Sequence, residues 1–199
     1  MKQSERREHL IDTAITLFSK NGFHATGVDT IIAAAGVSKK TLYRHFRSKD
    51  ELILAALRKY SGQFRNGFMR DVEWRATAPR DRVLAIFDAA HDWFEDKSFY
   101  GCMYINAIGE FSAPNTPVRI VCKEFKTLMR SYMEQLIRDM GIDNAEPLAE
   151  ELALLLEGAI VTAQVSENKG RAATVAKSAA KALIEKAEKG HLPITPSEV

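Results

Sequence analysis

Apolar residues recur with the period of an α-helix along almost the whole chain. In the first segment Leu10, Ala14, Leu17 and Phe18 fall on a single helical stripe. Similar stripes follow one another, separated by short runs that contain Gly, Pro, Ser or Asn. No segment alternates apolar and polar residues as a half-buried strand does, and no internal repeat is visible. The pattern predicts an all-α fold of about nine helices.

The helix boundaries follow from capping residues and from residues that break helices. Ser4 is a candidate cap for the first helix, and Ser48 with Glu51 forms a capping box before the fourth. Gly62 and Gly67 weaken the expectation that the fourth helix continues to residue 74. We expect helices over about residues 5–21, 28–35, 39–46, 49–74, 79–95, 103–111, 117–140, 144–168 and 172–189.

The segment from residue 28 to residue 46 contains two short helices joined by a three-residue turn. In this turn Gly36 permits a sharp change of direction, Val37 fills the angle between the helices, and Ser38 caps the second helix. This pattern is typical of a helix-turn-helix, whose second helix lies in the major groove of DNA. Taken alone, the pattern also fits an ordinary helical hairpin with a basic face.

The residue types of the second helix suit DNA recognition. Its first residues have short hydroxyls or flexible cationic chains, which reach base edges without steric obstruction. These residues are Ser38, Lys39, Lys40 and Thr41. The residues that follow have polar ends that reach phosphates, namely Tyr43, Arg44 and His45.

The distribution of charge supports a polyanion-binding segment at the N-terminal end. Residues 1–60 hold 11 Lys or Arg against 6 Asp or Glu, whereas the remaining residues hold 17 against 20. A basic end joined to a mildly acidic body is typical of a nucleic-acid-binding module on a carrier with another role.

The sequence around this segment resembles the tetracycline-repressor (TetR) family over roughly residues 6–57. The resemblance rests on an amphipathic helix followed by residues 22–26, then residues 36–46, then residues 48–52. It implies a three-helix DNA-binding head over residues 1–47 and a helical ligand-binding and dimerisation domain over residues 48–199. It also implies a homodimer that a ligand releases from its operator.

The resemblance also assigns roles to single residues. Base contacts are implied for Lys39, Lys40 and Thr41, and phosphate contacts for Thr26, Tyr43, His45 and Lys49. Two positions depart from the family's pattern. Gly27 stands where many members have Ser or Thr, so a side-chain cap is missing, and Lys40 stands where glycine is frequent, which adds a cation.

The body of the chain is rich in aromatic residues and methionine between residues 60 and 140. Polar groups among them, above all His91 and Asn106, predict a small-molecule pocket, because ligand sites combine apolar walls with a few polar anchors. Helical spacing places His91 on the inward face. The candidate ligand contacts are His91, Phe94, Met103, Tyr104, Asn106, Met129, Tyr132 and Met133. The alternative is a plain helical core in which His91 and Asn106 hydrogen-bond to backbone carbonyls.

Catalysis, cofactors and metal ions are not predicted. Asp88, His91, Asp92 and Glu95 have helical spacings compatible with a metal, but a solvated acidic face explains the carboxylates better. The sequence has no Gly-rich phosphate loop, no zinc motif and no recognisable Ser/His/Asp set. We therefore expect a protein that is not an enzyme.

The last two helices carry apolar faces with small residues, which allow close packing and predict a four-helix dimer interface. The candidate interface residues are Leu152, Leu156, Ala159, Ile160, Ala176, Ala180 and Leu183. The alternative is that these faces are covered by their own domain.

Other features narrow the class of protein. No apolar run reaches the roughly 18 residues of a membrane span, and Cys102 and Cys122 are too few for a disulfide scaffold. With a charged N-terminus and no secretory signal, we expect a cytoplasmic protein. The leading hypothesis is a dimeric repressor that a small, apolar or aromatic effector releases from DNA. The alternative is a DNA-binding regulator or architectural factor of the same fold without an effector.

Overall fold

The structure is a computed structural model that describes residues 3–190. This part of the chain contains nine α-helices and no β-strand, which confirms the predicted all-α fold. The helices are α1 (Gln3–Asn21), α2 (Val28–Ala35), α3 (Lys39–His45), α4 (Lys49–Arg75), α5 (Pro79–Glu95), α6 (Met103–Glu110), α7 (Pro117–Asp139), α8 (Ala145–Val165) and α9 (Lys169–Gly190).

Local capping chemistry explains where the early helices begin. The Ser48 hydroxyl accepts a hydrogen bond from the Glu51 amide at 3.2 Å, as the capping box predicts. The Glu51 carboxylate accepts from the Arg47 amide at 2.7 Å, one residue before the expected Ser48 amide. Ser4 lies inside the first turn of α1, so the cap predicted there is wrong.

The junction between α8 and α9 differs from the prediction. The sequence pattern places the end of the eighth helix near residue 168, whereas α8 ends at Val165 and α9 begins at Lys169. The reason is that Asn168 caps the start of α9, where its side-chain oxygen accepts from the Arg171 amide at 3.2 Å. Gly170 therefore lies in the first turn of α9, and its amide donates to the Glu95 carboxylate at 2.7 Å.

The chain divides into two compact units. Among the described residues, the first unit comprises residues 3–67 and 100–127, and the second comprises residues 68–99 and 128–190. The helices α4 and α7 contribute residues to both. This division follows packing and does not test the functional boundary predicted at residues 47 and 48. Residues 191–199 of the predicted second domain lie outside the described residues.

Aromatic side chains form much of the core of the first unit. Phe18 and Phe23 are buried, and their ring centroids lie 5.1 Å apart. Tyr104 of α6 is also buried, stacks on Phe125 of α7 at 3.8 Å, and donates its hydroxyl to the Leu57 carbonyl at 2.9 Å. The stacking contact joins α6 to α7, and the hydrogen bond joins α6 to α4. The hydrogen bond also satisfies the Tyr104 hydroxyl inside an apolar core.

In the second unit α9 packs against α5 and α8. Small buried residues such as Ala173 and Ala180 allow the helix axes to approach closely. A polar tie reinforces the packing, since the Lys177 ammonium lies 2.6 Å from the Asp88 carboxylate. The start of α9 is therefore stabilised by the contact of Gly170 with Glu95 of α5 as well as by the Asn168 cap.

Candidate DNA-binding and effector sites

The turn between α2 and α3 has the geometry that the sequence predicts. Gly36 adopts a left-handed conformation with φ of 63°, and its amide donates to the Ala33 carbonyl at 3.3 Å. The amide of Val37 donates to the Ile32 carbonyl at 3.2 Å. Ser38 then caps α3, because its hydroxyl accepts from the Thr41 amide at 3.2 Å. The turn is thus closed by backbone hydrogen bonds at one helix end and by a side chain at the other.

His9 of α1 also stabilises this turn, a role that the sequence analysis does not predict. Its ring nitrogen Nε2 lies 3.1 Å from the Ala35 carbonyl oxygen in the last turn of α2. Carbonyls at a helix end have no partner within the helix, so this contact satisfies one of them. His9 and Arg6 line a shallow groove beside the turn, of about 380 Å³.

The predicted DNA-reading side chains are presented on α3. Lys39, Lys40 and Arg44 are exposed, and the Tyr43 side chain retains 45% of its accessible surface. Thr41 and His45 are half-buried. Lys39 lies 3.4 Å from the Asp29 carboxylate, and since both groups are exposed this ion pair is weak. The helix therefore presents three exposed cationic side chains, Lys39, Lys40 and Arg44, to solvent.

The two predicted phosphate contacts outside α3 have different environments. The Lys49 ammonium lies at the start of α4 and donates to the His24 carbonyl at 3.3 Å. Thr26 is buried, and its hydroxyl donates to the Gly22 carbonyl at 2.7 Å. The side-chain phosphate contact predicted for Thr26 is corrected accordingly, because this hydroxyl is buried and used inside the protein. As predicted, Gly27 precedes α2 without a side-chain cap.

In the second unit, the feature most relevant to ligand binding is the Tyr132 hydroxyl. It is buried and has no hydrogen-bond partner among the described residues. Burial raises the pKa of Tyr132 to about 12. The predicted neighbours Phe94, Met129 and Met133 are buried and apolar. A buried hydroxyl without a partner is costly unless a ligand or water satisfies it.

The imidazole of His91 lies between Asp92 and the start of α9. Its side chain is 44% exposed, and its Nδ1 lies 3.2 Å from the Asp92 carboxylate. Asp92 in turn accepts from Arg75 at 2.6 Å. His91 is therefore half-buried: its Nδ1 lies beside Asp92, while its Nε2 lies so close to Gly170 of α9 that a Cβ added there would be 2.5 Å away. No group of potential metal ligands lies together within residues 3–190.

The candidate ligand contacts in the first unit are largely occupied by internal interactions. Met103 and Tyr104 are buried, and the Tyr104 hydroxyl is already used on the Leu57 carbonyl. The Asn106 side-chain amide donates to the Tyr100 carbonyl at 3.1 Å. This contact is the backbone hydrogen bond that the alternative interpretation expects. Arg65 was missed by the sequence analysis, and its Nε is buried without a hydrogen-bond partner in the described structure.

The face predicted as a dimer interface is mostly covered by its own chain. Leu152 and Ala180 have no exposed surface, and Leu156 and Ile160 retain less than a tenth. Leu183 is half-buried. The interface prediction is corrected for the four buried residues, because α8 is apolar on two sides and the periodicity identified the inner one, whereas for Leu183 it stays a prediction. Ala159 and Ala176 line a groove on the outer side.

That outer groove has a volume of about 480 Å³ and lies along α8 and α9. Its floor is formed by small residues, which include Gly158, Ala172 and Ala179. Leu154 and Val175 flank it and are 73% and 59% exposed. Exposed apolar surface of this kind commonly marks an interaction site.

The geometry thus defines a helical protein with a helix-turn-helix segment. Residues 10–56 match the family model described as bacterial regulatory proteins of the tetR family. Residues 79–179 match the model of the tetracyclin repressor-like C-terminal domain, which alone spans just over half of the chain. The chain therefore belongs to the TetR family of bacterial transcriptional regulators.

Individual relatives agree with this assignment. The HTH-type transcriptional activator FasR of Mycolicibacterium smegmatis is 39% identical over 49% of this chain. The chain spans less than half of that relative, since the match covers 44% of it. The regulator YxaF of Bacillus subtilis is 26% identical over 84% of this chain and 89% of its own length.

A solved structure extends the similarity to the fold. A TetR-family transcriptional regulator from Streptomyces coelicolor superposes with a TM-score of 0.84 at 26% identity, covering 92% of this chain and 96% of that one.

No helix within residues 3–190 is long and apolar enough to span a membrane.

Proposed function

We propose that the protein is a dimeric repressor that binds a pseudo-palindromic operator and is released by a small, apolar or aromatic effector. The observation that carries the proposal is the exposed cationic surface of α3, which follows a tightly closed helix-turn-helix turn. Cations on a helix that fits the major groove supply both phosphate attraction and base recognition. The exposed apolar groove on α8 and α9 supports dimerisation.

In this proposal α3 lies in the major groove of the operator. Its first residues contact base edges, and later residues with Lys49 contact the backbone phosphates. Ser38 contributes by capping α3 and so by setting the angle at which the helix enters the groove. The proposed base contacts are Lys39, Lys40 and Thr41, and the proposed phosphate contacts are Tyr43, Arg44, His45 and Lys49.

Selection from randomised duplex DNA, followed by sequencing and a salt titration, tests this function. We expect recovery of an inverted repeat whose half-sites lie about 10 base pairs or a multiple of that apart. Weak binding without sequence enrichment, both for purified protein and after addition of cell extract, would contradict the proposal.

The substitution Lys49→Ala tests the phosphate role. We expect weaker binding to all DNA sequences alike and a salt slope reduced by about 1. Lys123→Ala, which removes an exposed lysine of α7, serves as the matched control for net charge. A loss confined to one operator base would be inconsistent with a phosphate contact.

For dimerisation we place the interface on the outer groove of α8 and α9. A second copy would bury Leu154 and Val175 while the small residues of the groove floor allow close approach of four helices. The substitutions Leu154→Glu and Val175→Glu are expected to yield monomers in analytical ultracentrifugation. Ile120→Glu, at an apolar α7 residue that is 50% exposed, is the control and should leave the association state unchanged.

The effector response rests on Tyr132. A compound library screened by thermal shift identifies molecules that stabilise the protein, and the DNA assay then shows which of them weaken DNA binding. For such a compound Tyr132→Phe should lower affinity by about tenfold, since it removes only the hydroxyl. The control is Tyr100→Phe, at an exposed tyrosine. If no compound changes DNA affinity, the alternative of a regulator without an effector is favoured.

A further inference from the structure

The carboxylate of Glu110 holds the loop between α1 and α2. Glu110 is the last residue of α6, far along the chain from that loop. Its Oε1 accepts from the Phe23 amide at 2.8 Å, and its Oε2 accepts from the His24 amide at 2.6 Å. Hydrogen bonds from two consecutive amides to one carboxylate fix the orientation of the loop backbone.

The fit around this carboxylate is close. The Phe111 ring lies 5.8 Å from the Phe23 ring and 4.9 Å from the His24 ring. Gly22 has φ of 82°, and a Cβ added there would lie only 2.8 Å from Glu110 Oε1. The Glu110 carboxylate therefore lies against Gly22, whose positive φ favours glycine.

His24 of this loop links Glu110 to Lys49, the proposed DNA contact. The His24 amide binds Glu110, while the His24 carbonyl accepts from the Lys49 ammonium at 3.3 Å. A shift of this peptide backbone moves the oxygen that holds Lys49. The Gly22 carbonyl, at the start of the loop, likewise accepts from Thr26 just before α2.

We infer that Glu110 is a positioning residue for DNA binding, which acts through the His24 backbone on Lys49. The inference rests on the proposed DNA-binding function and extends the head beyond residues 1–47 to the end of α6. The sign of the effect is distinctive. A carboxylate beside a DNA-binding surface repels phosphate, so removing its charge alone strengthens binding, whereas loss of positioning weakens it.

The test compares Glu110→Gln with wild type for binding to a mixed-sequence DNA duplex at low salt. Glutamine keeps the side-chain size but replaces one acceptor oxygen with a donor that cannot bind an amide N–H. We expect binding about three- to tenfold weaker, despite the loss of a negative charge. Glu124→Gln, at an exposed glutamate of α7 in the same unit, controls for charge and should leave affinity unchanged or slightly higher.

A double-mutant cycle with Lys49→Ala checks the route of the effect. If Glu110 acts through the position of Lys49, the double variant loses less affinity than the product of the two single losses. Circular dichroism sets a temperature at which all variants are folded. Glu110→Asp, which keeps the charge but shortens the side chain, provides a second variant and should also weaken binding.

The outcomes are separable. If wild type does not bind the duplex, the proposed function itself fails. If wild type binds and Glu110→Gln binds as tightly or more tightly, or the cycle is multiplicative, the positioning role of Glu110 is overturned while the proposed function stands.

Discussion

The helix-turn-helix segment and the α8–α9 pair both consist of two helices with small and apolar residues between them. In residues 28–46 the turn is closed by Gly36 and Ser38, and the exposed side chains are polar apart from the small Ala33 and Ala34. In α8 and α9 apolar residues occupy two sides, with Leu152 facing the core and Leu154 facing outward. The first segment has one possible inner face, whereas the second has two.

This difference explains why the sequence predicts the turn of the helix-turn-helix but does not predict which apolar face of α8 is buried. A turn with a left-handed glycine and a serine cap is determined by neighbouring residues, since hydrogen bonds close within a few positions. The choice between two apolar faces depends on which helices lie against them, and neighbouring residues do not encode that choice.

The largest effect on the free energy of unfolding is expected from substitutions that compare the two apolar faces of α8. In the Val175→Glu background, chosen to remove association, Leu152→Ala should lower the free energy of unfolding by about 2–5 kcal/mol, because it leaves a cavity in the core. Leu154→Ala should change it by less than about 0.5 kcal/mol, since the side chain is exposed. Urea denaturation measures both, and equal costs would show that the two faces are not distinct.

A smaller effect on the free energy of unfolding is expected from a substitution in the turn between α2 and α3. Gly36→Ala should lower the free energy of unfolding by about 1 kcal/mol, because alanine is strained at a φ of 63° although the space for its Cβ is free. Gly67→Ala, in the middle of α4, should instead raise it by about 0.5–1 kcal/mol. Thermal unfolding of both variants measures the difference, and a neutral Gly36→Ala would contradict the local origin of the turn.

The smallest effect concerns the polar network formed by Arg75, Asp92 and His91. The Arg75 guanidinium, which donates to Asp92, holds the pKa of that carboxyl below its usual value, and His91 adds to this against the opposing effect of burial. A lowered folded-state pKa stabilises the fold above the unfolded-state pKa, and this stability is lost as pH falls through the folded-state value.

We therefore expect Arg75→Met to raise the pKa of Asp92 in a carboxyl NMR titration. The stability gap between this variant and wild type should narrow at acidic pH, and it should be small because Asp92 is 62% exposed. Arg70→Met, at an exposed arginine of the same helix, is the control. An unchanged Asp92 titration would remove Arg75 as the cause.

The helix ends show where sequence reasoning succeeds and where it stops. The ends of α2 follow directly from Gly27 and Gly36, and α5 starts at Pro79 as expected. The sequence pattern starts α9 near residue 172 instead of Lys169, because it does not show that Asn168 caps this helix or that the Gly170 amide binds Glu95 on a different helix. Likewise, nothing near Glu110 in the chain indicates that its carboxylate binds the amides of residues 23 and 24.

The helical class, the helix-turn-helix turn and the cationic surface of α3 could all be predicted from the sequence. Each depends on period, capping or charge within a few residues, so each is encoded locally. The burial of Thr26, the position of His91 between Asp92 and Gly170, and the exposure of Leu154 on the outer face of α8 became evident only in the folded chain. These outcomes depend on side chains from distant segments that compete for the same partners and the same buried space.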